Sequence, residues 1–183
     1  MNYYIEITLV PDSEMPLNRL FNVMYTKLHK ALCDLHSTNI GVSFPKYQIN
    51  LGNVLRIHGE ALMLSNLQGL NWIGGMRGYC TISDITPIPT GTKFRTVSRI
   101  QPTMSPAKMR RLVQRGSLKQ EEAKDYKSRM FASGLNNPYL ELISSSNGNK
   151  HRRYIKFGTV QDMATEGGFD QFGLSNRSTI PWF

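Results

Sequence analysis

The chain has 183 residues, of which 40% are hydrophobic and 10% aromatic, and it carries a formal net charge of +9. This composition is apolar enough to bury a core, which argues against a disordered chain, and no apolar run approaches the roughly 20 residues that a membrane span needs. Because the first residues also lack a basic leader and a small-residue cleavage site, we expect a cytoplasmic protein with no membrane partner.

The first half of the chain begins with a strand pattern and a long helix pattern. Residues 3–10 alternate apolar and polar side chains up to Pro11, which predicts a strand. From Met15 to Leu35, apolar residues recur at spacings of three and four, which predicts a helix with one buried stripe. The stripe consists of Leu20, Phe21, Met24, Leu28 and Leu32.

Four further elements complete the first half. Residues 40–44, 54–58 and 79–85 are predicted strands, and residues 61–67 are a predicted short helix. The resulting order, β-α-β-β-α-β, is that of the ferredoxin-like fold, in which an antiparallel sheet carries two helices on one face. We therefore predict an α+β protein with a ferredoxin-like domain in residues 1–92, followed by a smaller α+β domain in residues 93–183.

The two cysteines, Cys33 and Cys80, both lie in the first half of the chain and belong to no metal or redox motif. They lack CxxC spacing, and no His-x-His arrangement lies nearby. We interpret both as buried small hydrophobic residues, and we predict a protein without a metal or another cofactor.

The second half contains the excess positive charge. Residues 1–92 hold six Lys or Arg and six Asp or Glu, whereas residues 93–183 hold sixteen against seven. Residues 93–119 include eight basic residues and no acidic one. Solvated helix faces usually mix both signs, so a stretch of one sign predicts a surface that binds a polyanion, with nucleic acid as the leading partner.

Residues 93–101 form a predicted strand with one cationic side. Alternation places five of its residues in one row, which we expect to line a groove. The row consists of Lys93, Arg95, Val97, Arg99 and Gln101.

An arginine-rich helix is predicted next. Ser105 is its N-cap, Pro106 its first helical residue and Gly116 its stop. Its apolar residues gather on one side and leave the cations on the other. These cations are Lys108, Arg110, Arg111 and Arg115. A capping box that begins at Ser117 then predicts a mixed-charge helix ending near Phe131.

The remaining residues predict a hairpin and a docked C-terminus. Residues 139–143 and 151–157 flank a serine-rich turn, and its Asn147-Gly148 pair is a strong hairpin signal. Residues 166–169 are a predicted Gly-rich loop and residues 172–175 a predicted buried strand. The aromatic residues of the final Pro181-Trp182-Phe183 are expected to close the core.

A series of short segments runs through the whole chain in a fixed order. They are KLHKAL around His29, IGVSFP at 40–45, VSRIQ at 97–101, the arginine-rich helix, the Ser144 hairpin, EGGF, FGLS and PWF. In this order and spacing they closely resemble the CRISPR repeat-processing endoribonuclease of subtype I-F. The resemblance implies a metal-independent ribonuclease of the bacterial cytoplasm that cuts a CRISPR repeat RNA stem-loop once, at its 3′ base. It also implies that the protein stays on the guide RNA with other subunits of a surveillance complex.

The resemblance assigns two catalytic roles. His29 matches the catalytic histidine of the family, and Ser144 matches its active-site serine, which would align the attacking 2′-hydroxyl. Histidine is the side chain best suited to remove that proton near neutral pH. Attack of the 2′-oxygen on the neighbouring phosphate leaves a 2′,3′-cyclic phosphate and a 5′-hydroxyl.

Two positions depart from the family pattern. Phe172 stands where the family has an active-site tyrosine, so a hydroxyl that could orient the imidazole is missing. His151 stands where an aromatic residue is expected to stack under the base of the hairpin, a contact that histidine makes more weakly. His36 and His58 match no family role, and we interpret both as structural.

The resemblance also assigns RNA contacts. Arg99 and Gln101 match positions that read base edges in the lower stem, where Arg suits guanine and Gln suits adenine. An undisturbed A-form major groove is too narrow for such contacts, so the end of the stem must open it. The four cations of the arginine-rich helix would contact phosphates and set the register.

Two other functions remain open at the level of sequence. The missing hydroxyl at Phe172 is compatible with a non-catalytic RNA-binding subunit of the same ancestry. A basic DNA-binding module is the third possibility, although the chain has no helix-turn-helix or zinc signature. Cleavage of a repeat hairpin in EDTA, with a 2′-deoxy analogue as the comparison, separates the three.

Overall fold

The computed structural model describes residues 1–101, 105–130, 136–143, 148 and 150–183. Within these residues the protein is a mixed α/β structure with three antiparallel sheets of five, two and three strands, so the predicted α+β class is confirmed. In the described part of the chain, no helix is long and apolar enough to cross a membrane.

The five-stranded sheet is built from the first half of the chain. In chain order the elements are β1 (Tyr3–Leu9), α1 (Leu17–Asp34), β2 (Gly41–Ser43), β3 (Val54–Gly59), α2 (Ala61–Gly69), a 3-10 helix (Gly74–Tyr79), β4 (Cys80–Ile82) and β5 (Thr86–Pro87). The strands lie in the order β2-β3-β1-β4, and β5 also pairs with β1. The strand predicted over residues 79–85 is shorter and ends at Ile82, because at the next position the Ser83 hydroxyl, instead of a backbone carbonyl, accepts the Glu6 N–H at 2.9 Å.

Helix α1 packs its predicted apolar stripe into the core. All five predicted stripe residues are buried, and Tyr25 joins them with no exposed surface. Burying one such large apolar side chain stabilises the fold by roughly 1.5–3 kcal/mol. The position of α1 is therefore fixed by the core, and so is the position of His29, which follows the buried Leu28 at the edge of the stripe.

The second half adds two smaller sheets and two helices. The elements are β6 (Lys93–Arg95), β7 (Val97–Ile100), α3 (Pro106–Gln114), α4 (Ala123–Met130), β8 (Tyr139–Ile143), β9 (Lys150–Phe157) and β10 (Ile180–Trp182). Strand β10 pairs with β6, and the three-stranded sheet has the order β7-β9-β8. One hydrophobic core runs through both halves, because Leu140, Ile155 and Leu174 belong to the same buried cluster as Ile5 and Leu28.

The row predicted to line a groove at residues 93–101 is wrong for Arg95 and Val97, which are buried. The strand breaks at Thr96, whose carbonyl accepts the Gly158 N–H at 2.9 Å. Arg95 is buried and donates to the Gly158 carbonyl at 2.7 and 3.0 Å, with its Cζ 4.6 Å from the Trp182 ring centroid. Lys93 pairs with Asp162. Partners that are distant in the sequence therefore neutralise or bury this part of the row.

Helix α3 starts as predicted, but α4 does not. The Ser105 side chain accepts the Lys108 N–H at 3.1 Å, which confirms the N-cap. Helix α4 begins at Ala123 and not after Ser117, because the Glu122 carboxylate accepts the Lys119 N–H at 2.9 Å within a preceding turn. The predicted end of this helix near Phe131 lies outside the described residues.

Candidate active site

His29 is fixed by a turn of residues 170–174 that lies against α1. Its Nδ1 donates to the Gln171 carbonyl at 2.8 Å, and the hydroxyl of Tyr25 donates to the next carbonyl, that of Phe172, at 2.6 Å. Residues four apart share one helix face, so these two side chains meet successive carbonyls. Because a carbonyl can only accept, Nδ1 of the neutral imidazole carries the proton and Nε2 keeps its lone pair.

The turn itself is held by Asp170 and Gly173. Asp170 Oδ1 accepts the backbone N–H groups of Phe172 and Leu174, at 2.9 Å each. Gly173 has φ +69°, and a Cβ at this position would lie 2.7 Å from Cγ1 of Val42. Only glycine accepts both constraints. The buried strand predicted for residues 172–175 is therefore wrong, and the segment is a tight turn.

The Phe172 ring lies between an imidazole and a guanidinium. Its centroid is 3.6 Å from that of the His29 ring, with 13° between the planes. The Cζ atom of Arg153 lies 3.4 Å from the same Phe172 centroid. Two groups this close to one centroid must occupy opposite faces of the ring. The aromatic residue predicted at the active site thus contacts His29 through its face.

Arg153 is a buried cation at this site. Only 7% of its surface is exposed, and within the described ranges its Nε has no hydrogen-bond partner. Burial lowers the pKa of Arg153, and the neighbouring Arg99 lowers it further, whereas Tyr25 and Asp170 act in the opposite direction. The site therefore contains two guanidinium groups close enough to repel each other.

Cys33 lies one turn beyond His29 on α1. Its Sγ is 3.6 Å from Nδ1 of His29 and donates to the side-chain oxygen of Gln171 at 3.2 Å. Burial, and then Asp34, raises the pKa of the Cys33 thiol, so the thiol keeps the proton that it donates. Cys33 and Cys80 are half-buried, so the prediction that both are buried is wrong.

The candidate RNA-reading residues lie on the three-stranded sheet. Arg99 is exposed on β7 opposite Ile155 of β9, and Gln101 is exposed directly after β7. His151 is exposed on β9 opposite Leu142 of β8. Ser144 follows β8 but lies outside the described residues, so its role stays a prediction.

Helix α3 carries the candidate phosphate-binding cations. Its apolar residues are half-buried, and its four predicted cations are exposed. The half-buried residues are Met109, Leu112 and Val113; the exposed ones are Lys108, Arg110, Arg111 and Arg115. The helix packs on α4 and presents its cations to solvent, as its pattern predicts.

The other two histidines considered have ordinary surroundings. His58 is completely buried, and its Nε2 lies 2.7 Å from the Ser43 hydroxyl. Burial, with a smaller effect of Arg56, lowers the pKa of His58 to about 3. His36 is exposed at a positive φ of 48° just beyond α1.

Sequence reasoning missed three groups that shape the site: Tyr25, Arg153 and the Gln171 carbonyl. Tyr25 could have been found, because it precedes His29 by four residues on the apolar side of α1. The inward position of Arg153 could also have been predicted, since strand alternation puts it on the same face as the buried Ile155. A backbone carbonyl leaves no such trace in a sequence.

A mixed α/β fold that holds a histidine whose neutral tautomer leaves Nε2 free to accept a proton, and that carries a helix of exposed cations, defines a class of protein suited to proton transfer on a polyanion. Residues 4–183 match the family model of the CRISPR-associated protein Cas_Csy4. The chain therefore belongs to this family.

Two curated relatives match the chain over its full length. It is 38% identical to the "CRISPR-associated endonuclease Cas6/Csy4" of Pseudomonas aeruginosa (strain UCBPP-PA14), over 100% of both chains. It is 34% identical to the protein of the same name from Escherichia coli (strain UTI89 / UPEC), again over 100% of both. A solved structure of "CRISPR endoribonuclease Cse3 bound to 19 nt RNA" is 13% identical, with a TM-score of 0.41 over 98% of this chain and 100% of that one.

Proposed function

We propose that this protein is a metal-independent endoribonuclease that cuts CRISPR repeat RNA at the 3′ base of its hairpin. The observation that carries the proposal is the hydrogen bond from His29 Nδ1 to the Gln171 carbonyl. This bond selects the imidazole tautomer whose Nε2 can accept a proton, as a general base requires. Membership of the family and relatives named as endonucleases support the activity.

In the proposed reaction, Nε2 of His29 removes the proton of the 2′-hydroxyl next to the scissile phosphate. The 2′-oxygen forms a bond to phosphorus, the bond from phosphorus to the 5′-oxygen breaks, and the leaving oxygen takes up a proton from water. The protonated His29 then releases its proton to solvent. The products are a 2′,3′-cyclic phosphate and a 5′-hydroxyl. Ser144 aligns the 2′-oxygen, and His29 contributes on the order of 10²- to 10⁴-fold to the rate.

The RNA is held by two sets of residues in this proposal. Arg99 and Gln101 read base edges in the lower stem, and His151 stacks under the base of the hairpin; the exposure of all three supports these roles. The cations of α3 contact phosphates and set the register.

The wider organisation is part of the same proposal. We infer a ferredoxin-like domain in residues 1–92 and an RNA-binding domain in residues 93–183; the strand order β2-β3-β1-β4 of antiparallel neighbours supports the first. The protein stays on the mature guide RNA, with other subunits of a type I-F surveillance complex, in the bacterial cytoplasm.

Cleavage of a repeat hairpin in EDTA tests the proposal. We expect the RNA to be cut, whereas an analogue with a 2′-deoxyribose at the scissile position should be bound but left intact. The upstream product should have the mass of a 2′,3′-cyclic phosphate, which is one water less than that of a linear 3′-phosphate. His29→Ala should abolish cutting while hairpin affinity stays within a few-fold; His36→Asn is the control. Tight binding without cutting by the parent protein would instead identify a non-catalytic RNA-binding subunit.

A further inference from the structure

Arg153 occupies a position where a core normally holds an apolar side chain. It shares a face of β9 with Ile155, which has no exposed surface. Among the residues that the structure describes, Arg153 has no ion pair with a carboxylate, and its buried Nε has no hydrogen-bond partner. Asp170 favours the charge from beyond ion-pair distance, but burial outweighs it, so the cation lowers stability relative to an apolar side chain. The charge itself therefore needs an explanation.

The contact of this charge is with the Phe172 ring. The Arg153 Cζ lies 3.4 Å from the ring centroid, within the range of a cation–π interaction, which strengthens when the cation is desolvated. The hydrogen bonds from Tyr25 and to Asp170 fix the backbone of Phe172. They do not fix the rotation of its ring. The guanidinium covers one face of the ring and the imidazole of His29 the other, and the Tyr25 ring lies further away, at 6.5 Å.

The imidazole of His29 needs a ring stacked on it to fix its orientation. Its hydrogen bond to the Gln171 carbonyl fixes the position of Nδ1, but the imidazole can still rotate about that bond. Parallel stacking on Phe172, at 3.6 Å and 13°, removes this freedom and gives Nε2 one direction. A general base misplaced by a small angle loses much of its effect, because proton transfer needs an aligned hydrogen bond.

We propose that Arg153 is a positioning residue of the catalytic centre, whose guanidinium holds the Phe172 ring against the His29 imidazole. The effect on cleavage rests on the proposed function, whereas the effect on the imidazole can be measured without RNA. The variants are Arg153→Met, which keeps length and removes charge, and Arg153→Lys, which keeps a cation. Arg152→Met is the matched control, since this neighbour lies on the other face of β9, over the Tyr139 ring.

The first measurement is the NMR spectrum of the RNA-free protein. In the parent, the ring current of Phe172 shifts the His29 ring protons upfield, and Phe172→Ala supplies the unstacked reference. We expect Arg153→Met to move these resonances towards the reference, Arg153→Lys to move them less, and Arg152→Met to leave them unchanged. Resonances that do not move in Arg153→Met would overturn the proposal, whatever the outcome for cleavage.

The second measurement is single-turnover cleavage at saturating hairpin RNA. We expect Arg153→Met to be about three- to thirty-fold slower, the range that a cation–π contact spans, with an unchanged Kd and partial recovery in Arg153→Lys. A Kd that weakens together with a shallower salt dependence would make Arg153 a phosphate ligand and refute positioning. If Arg153→Met does not fold, Arg153→Lys decides alone: a rate and a His29 spectrum equal to those of the parent would refute the idea. If the parent protein does not cut RNA but the Arg153 variants show the expected spectral changes, only the proposed function is refuted.

Discussion

Removing the hydroxyl of Tyr25 tests whether α1 positions the turn that carries Phe172. In Tyr25→Phe the core keeps its aromatic ring, but the Phe172 carbonyl loses the 2.6 Å hydrogen bond that it accepts. Loss of a partly buried hydrogen bond of this kind costs about 1–2 kcal/mol. In a chain of this size, we expect the melting temperature to fall by about 2–8 °C. The cleavage rate should fall about five-fold, because the turn carries both contacts of His29.

Tyr126→Phe is the matched control. Tyr126 is also buried, but within the described part of the chain its hydroxyl has no hydrogen-bond partner. Removing an unsatisfied hydroxyl should leave stability unchanged or raise it. Thermal unfolding and single-turnover cleavage of both variants are compared with the parent. Equal losses of stability in the two variants would refute the role of the Tyr25 hydrogen bond, as would a Tyr25→Phe variant with full stability and full rate.

Three further predictions concern pH, salt and Phe172. In the folded state His58 stays uncharged down to about pH 3, whereas in the unfolded state it binds a proton below about pH 6.5. The free energy of unfolding, measured in urea, should therefore fall as the pH drops through this window, by at most about 1.4 kcal/mol per pH unit. His58→Leu should flatten this dependence and His36→Asn should not; a parent profile that is flat over this window would show the premise to be wrong. Replacing Arg110, Arg111 and Arg115 together by Gln should lower the log–log salt slope of hairpin binding by about 2–3, at about 0.7–0.9 per phosphate contact. The same change at Lys124, Lys127 and Arg129 of α4 is the control, and equal effects would show that α3 is not a specific contact. Phe172→Tyr should cleave within about two-fold of the parent and Phe172→Ala more slowly; a Tyr variant at least five-fold faster would refute the stacking argument given below.

The sequence was sufficient where local chemistry decides the structure. The spacing of apolar residues predicted α1 and its buried stripe because a helix has a fixed period, and Ser105 predicted the start of α3 because its hydroxyl satisfies a backbone N–H within three residues. The same reasoning from local pattern was wrong for part of residues 93–101. The burial of Arg95 depends on Gly158 and Trp182, which are brought to it by the fold and cannot be read from alternation.

The candidate site shows the same difference between features that the local sequence predicts and features that only the fold decides. His29 and Phe172 were chosen through a resemblance, and the structure brings them into contact although they are 143 positions apart. Arg153 was given no role from the sequence, although alternation with Ile155 already placed it on the inward face of its strand.

The stacked geometry changes the meaning of the phenylalanine at position 172. From sequence, the absence of a tyrosine hydroxyl means the loss of a hydrogen bond that could orient the imidazole. In the structure the two rings are parallel at 3.6 Å, and the hydrogen-bonding directions of imidazole nitrogens lie in the plane of their ring. A hydroxyl on the Phe172 ring would approach from above that plane, where a hydrogen bond is poorly aligned. The ring face, held from behind by Arg153, is therefore the part of this residue that acts on His29, and the hydroxyl is dispensable for orienting it.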